Sequence, residues 1–192
     1  MSAHLTGRRV NATGRSTGKF LDSKFRKLNS VPSGQAFVWF TREMVESPAW
    51  RAMSQNARLV VDRVCVEHMA HGGGQNGSLP VTYDDFERTG IRRGSIRRAI
   101  AEALALGFIE MPRKGTRGYG DFPGAPSLFR LAWLPTNENG PATIRWRRFD
   151  TLAAAEAAAA EARDSVTKRV RDASEDTIRK RAGPSGKKFR SQ

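Results

Sequence analysis

The chain has 192 residues, 33 of them Lys or Arg against 19 Asp or Glu, for a formal net charge of +14 and a pI near 11.1. That length suits one ordinary domain plus tails, and such a charge attracts polyanions, which makes nucleic acid the leading partner. The lone Cys65 excludes an internal disulfide, no apolar run is long enough to span a bilayer, and no secretory leader is visible, so the expectation is a cytoplasmic protein without a membrane partner.

Residues 1–35 hold seven basic residues against one acidic, amid scattered Ser, Gly and Asn, and read as a basic, mostly disordered arm. Ala36–Phe40 (AFVWF) predicts a short buried strand, and the following TREMVES run a short helix with Glu43 and Glu46 near its positive end. Ser47-Pro48 is a second start signal, a capping residue followed by proline at the first helical position. Ser54 caps a stronger helix, in which Ala57, Val60, Val61, Val64 and His68 recur at three- and four-residue spacing until Gly72-Gly73-Gly74 stops it.

Asn76-Gly77 is a turn signal, and Leu79-Pro80-Val81 can form only an edge strand, because Pro80 has no amide to donate. Thr82 then caps a helix over Tyr83–Arg88. Asp85 reaches back to the capping amide, and Val81 and Phe86 stand at the staple positions. Thr89-Gly90 ends it in a tight turn, and a second helix is expected from about Arg93 to Leu106. Ile96, Ala99, Ile100, Ala103 and Gly107 share its buried face, while Arg92, Arg93, Ser95, Arg97, Arg98 and Glu102 fall largely outside it. Arginine donates bidentately to guanine in a major groove wide enough for one helix, and the remaining arginines contact phosphate. A solvated face of a structural helix is the bland alternative.

Phe108–Met111 and Leu128–Trp133 read as paired strands. Arg113, Lys114, Arg117 and Tyr119 lie between them among four glycines, a composition that bends freely and can set cations against phosphates, or is an ordinary hairpin loop. Ala142–Phe149 (ATIRWRRF) is expected as a strand or extended arm. Thr151 opens an Ala-rich helix running to about Gly183, with a narrow seam at Val166, Val170, Ala173 and Thr177. It can pack back on the domain, dimerise or stay solvated, and partial packing is favoured. Residues 183–192 form a basic tail.

The run GIRRGSIRRAIAEALALGFIEMPRKG resembles the recognition helix and first wing strand of bacterial winged helix-turn-helix DNA-binding proteins. NGSLPVTYDDF upstream resembles the strand and second helix of regulator and phage or plasmid replication-type members. The resemblance covers roughly Pro48 to Trp133. Arg92 departs from it where Ser or Thr often caps the recognition helix, and Ala103 where Leu is usual.

The resemblance implies an α+β, mainly helical fold: a winged domain over 36–149, a C-terminal helix over 150–182 and basic flexible tails. It implies double-stranded DNA as partner, contacted by Arg92, Arg93, Ser95, Arg97 and Arg98 in the groove and by Lys114, Arg117 and Tyr119 on the wing. Many such proteins pair as homodimers over two half-sites, which is one expectation here.

The leading expectation is thus a transcriptional regulator acting by binding rather than catalysis. A replication-initiation or partition protein is the alternative, and a non-specific nucleic-acid or RNA-associated structural protein the alternative of another class. Cys65, His68 and His71 invite a metal reading, but a stable site requires three or four ligands, so neither metal nor cofactor is expected. A pocket between wing and C-terminal helix remains one route to an effector.

Overall fold

The computed structural model describes residues 8–10, 16–20, 34–120, 124–136, 138 and 140–181. Two units divide the chain, 1–37 and 38–192. In the first, β1 (Arg8–Val10) pairs antiparallel with β2 (Ser16–Phe20). The sequence reading expects disorder there; two short runs separated by five residues containing a glycine instead have the spacing of a hairpin. The rest of that arm and the basic tail over 183–192 lie outside the described residues.

The second unit is mainly helical, with one small antiparallel sheet. Its order is α1 (Arg42–Glu46), α2 (Pro48–Ala52), α3 (Gln55–Ala70), β3 (Leu79–Val81), α4 (Tyr83–Arg88), α5 (Arg93–Ala105), β4 (Ile109–Arg113), β5 (Ser127–Leu131), a 3₁₀ turn (Arg145–Arg148) and α6 (Leu152–Arg181). Each early helix has a side-chain cap: Thr41, Ser47 and Ser54 accept from Met44, Trp50 and Ala57 amides. The sheet order is β3-β5-β4. The two prolines, Pro80 and Pro112, therefore fall on edge strands, where a missing amide is tolerated.

The core lies between α3, α5 and this sheet. Val60, Val61 and Val64 from α3 meet Ile96 and Ala103 from α5, and Leu79, Ile109, Phe129 and Leu131 from the strands. Phe86 and Phe129 meet edge-on at 5.9 Å. Burying a large apolar side chain of this kind contributes about 1.5–3 kcal/mol. Ala103 is fully buried, so the small residue is matched by close packing.

Two aromatic segments depart from expectation. Ala36–Phe40 forms no strand and is mostly exposed. Phe40 instead lies 5.4 Å from both Trp50 and Trp133, and Trp133 Nε1 donates to the Trp39 carbonyl at 3.0 Å. The ATIRWRRF run is not a strand either. Ile144 takes a left-handed conformation (φ 47°) that swings Trp146 inward to stack on Phe108, 6.5 Å away and nearly parallel. Gly107 makes room for this turn: at φ 80°, a Cβ there would come within 2.7 Å of Arg145.

Asn76 is more than a turn former. Its buried amide donates to the carbonyls of Leu131, Leu134 and Pro135 at 2.9–3.1 Å and accepts from the Leu131 amide at 2.7 Å. It straps the α3–β3 connection to the end of β5.

α6, about 45 Å long at 1.5 Å per residue, is packed only along its first half. Ala155 and Ala159 are buried, Val166 is half-buried, and everything from Thr167 to Lys180 is exposed. The expected seam through Val170, Ala173 and Thr177 is thus one turn or more too far along; the contact uses alanines small enough for close approach. Glu102 fixes the junction. Fully buried, its carboxylate accepts from the Ser54 amide (2.6 Å) and hydroxyl (2.9 Å) and pairs with Arg163 of α6 at 2.9 Å.

Candidate nucleic-acid interface

The α4–turn–α5 unit begins with a reciprocal cap. Thr82 Oγ1 accepts from the Asp85 amide at 3.3 Å while Asp85 Oδ2 accepts from the Thr82 amide at 2.9 Å. Burial pushes the Asp85 carboxyl up, but the Thr82 hydroxyl and amide, with Arg63 and Arg88, outweigh it and hold the group below its ordinary range. Val81 and Phe86, the staple pair, are both buried. Gly90 at φ 95° turns the chain, and Ile91 anchors the turn in the core.

α5 has no side-chain cap, as expected of Arg92 at that position. Of the expected groove-reading residues, Arg92, Arg97 and Arg98 are exposed and make no ion pair among the described residues, and Ser95 is half-buried. Arg93 behaves differently. It donates to Asp84 at 2.7 Å and to Glu87, and those two bonds, Asp84's first, raise its already high pKa. The α4 carboxylates that suit the helix dipole therefore also clasp Arg93 across the turn. The second half of α5 is not open: Ala101 and Leu104 share a cleft with Val166 and Val170 of α6. Only its first two turns are left for a partner as large as a nucleic-acid duplex.

The β4–β5 loop adjoins them. Lys114, Arg117 and Tyr119 are exposed, Tyr119 at 88%. Its glycines give less freedom than expected. A Cβ on Gly115 would lie 2.5 Å from the Ala125 carbonyl, and one on Gly124 would lie 2.4 Å from that of Thr116, so both permit two backbones to touch. The Thr116 amide donates to Ala125 O at 2.9 Å, closing the base of the loop. Residues 121–123 lie outside the description.

Periodicity gave no sign of one further cation. Arg169 of α6 lines the same cleft as Arg97 and Lys114, although the three are far apart in sequence; only the exposed basic position of Arg169 beside Lys168 could have marked it.

Cys65, His68 and His71 belong to no set of three ligating side chains among the described residues. Burial, with the charge of Asp62 second, pushes the Cys65 thiol up to about 12, far from a reactive thiolate. His68 is buried with Nδ1 unpartnered among the described residues, and His71 Nδ1 bonds the Glu67 carbonyl at 2.9 Å. No group of three metal-ligating side chains occurs among the described residues, and no helix there is long and apolar enough to cross a membrane.

No protein family, characterised protein or solved structure matches the chain significantly.

Proposed function

We propose that the α3–β5 region is a winged helix-turn-helix domain that binds double-stranded DNA and acts as a transcriptional regulator. The observation that carries this reading is the set of exposed, unpaired cations on α5 and the β4–β5 loop. Arg92, Arg97 and Arg98 at the start of α5 and Lys114 and Arg117 on the β4–β5 loop are exposed and without acidic partners among the described residues, and Arg97 and Lys114 line one cleft. The element order and the β3-β5-β4 sheet support it, since they place a helix and a basic hairpin side by side. Arg97 and Arg98 read base edges or clamp phosphates; Lys114, Arg117 and the protruding Tyr119 hold the flanking backbone. Arg93 secures the turn that aims α5. The same surface would serve a replication origin as readily as an operator.

Selection of bound sequences from a random double-stranded DNA pool at near-physiological salt tests this, in parallel with Arg97→Ala/Arg98→Ala protein. The expected result is a defined motif that the double variant loses, with affinity reduced about ten-fold or more. Equal, motif-free retention of both proteins would overturn specific reading and leave binding to the basic arms.

A further inference from the structure

The half-open cleft between α5, β4 and α6 has a volume of about 280 Å³, just under the usual range for ligand sites. Three cations reach it from three elements: Arg97 from α5, Lys114 from the end of β4 and Arg169 from α6. No carboxylate lines it, and none of the three makes an ion pair among the described residues. Bringing like charges to one cleft costs electrostatic energy that an anion would relieve. Apolar side chains complete the lining, Ile100 and Leu104 from the helix of Arg97 and Val166 from that of Arg169. Tyr83 and Ser127 also line the cleft; the Ser127 hydroxyl accepts from the Gly115 amide at 2.9 Å, which leaves its proton free to donate.

We infer that this cleft binds an organic anion with a single charged head and an apolar body, such as a carboxylate or sulfonate on an aromatic or aliphatic frame. A small inorganic anion would satisfy the cations but leave the apolar lining wet. A neutral apolar molecule would leave the cations unrelieved. Because Arg97 and Lys114 also belong to the proposed DNA surface, ligand and DNA exclude one another. That exclusion rests on the DNA-binding reading, whereas ligand binding itself does not.

The experiment titrates the full chain with 8-anilinonaphthalene-1-sulfonate, following its fluorescence, beside the uncharged N-phenyl-1-naphthylamine. One saturable sulfonate site is expected. Arg169→Ala, an exposed position, should weaken it about ten-fold or more, the worth of one charge-assisted bond, with no change in melting temperature. Ala101→Phe, which fills the cleft, should abolish it. Equal binding of the uncharged dye, or unchanged affinity in Arg169→Ala protein, would overturn the site.

A second arm measures DNA binding with and without the dye. Weakened DNA binding that becomes dye-resistant in Arg169→Ala protein is expected. Dye binding that leaves DNA affinity unaltered would overturn the exclusion alone. Failure to bind DNA at all would sink the functional reading while leaving the dye titration standing.

Discussion

The two ends of α5 are built on opposite terms. Its C-terminal half is closed: Glu102 is fully buried and saturated by Ser54 and Arg163, and Gly107 just beyond is pressed against Arg145. Its N-terminal half is open, uncapped and studded with arginines, of which only Arg93 is engaged. One helix thus carries stability at one end and unsatisfied binding capacity at the other. Substitutions at the two ends should therefore separate folding from recognition.

The largest effect is expected from Glu102→Ala. It removes the buried carboxylate that holds the half-buried Ser54 amide and hydroxyl and unpins α6, and should lower unfolding free energy by roughly 3 kcal/mol in urea titration. A loss well under 1 kcal/mol would show that the closed end does not depend on this carboxylate. Gly107→Ala comes next, at about 2 kcal/mol, because alanine is strained at positive φ and its Cβ meets the Arg145 backbone. Calorimetry would register it as a lowered Tm. Arg97→Ala/Arg98→Ala, at the open end, should move stability by no more than about 0.5 kcal/mol while reducing DNA affinity. A large stability loss there would erase the distinction between the ends.

The smallest expected effect lies off this helix, on α3. Burial, with the neighbouring His71 charge second, lowers the pKa of His68 from its ordinary 6.5. The fold therefore favours neutral imidazole, so stability is full above about 6.5 and declines as pH falls from there toward the depressed folded value. Tm should fall across that window, and His68→Leu should flatten the profile. An identical pH slope in both proteins would remove His68 from consideration.

What was legible in the sequence was local. The Thr82 cap, the Gly90 turn and the start of α5 at Arg93 were readable because each depends on residues within one turn of each other. What escaped was set by distant neighbours. By periodicity Glu102 belongs to the outward side of α5, yet Ser54, 48 residues earlier, and Arg163, 61 later, enclose it. Arg93 looks like its neighbours until the acids of α4 are folded beside it. Ala36–Phe40 has the composition of a strand but pairs with none of the three strands of the sheet, its Phe40 packing on Trp50 and Trp133 instead. The Trp146 turn depends on the space left by Gly107, which no propensity encodes.

The strap made by Asn76 also carries a timetable. Its partners lie 55 to 59 residues downstream, and β3 pairs with β5 rather than with the nearer β4. As the chain leaves the ribosome, α3, α4 and α5 emerge with their local signals complete, while β3 and the Asn76 amide wait for Ser127–Leu131. Such long-range closure is slow. The basic loop between β4 and β5 must therefore be synthesised and folded back before the three-stranded sheet exists, and the Trp146 turn and α6 dock only after it.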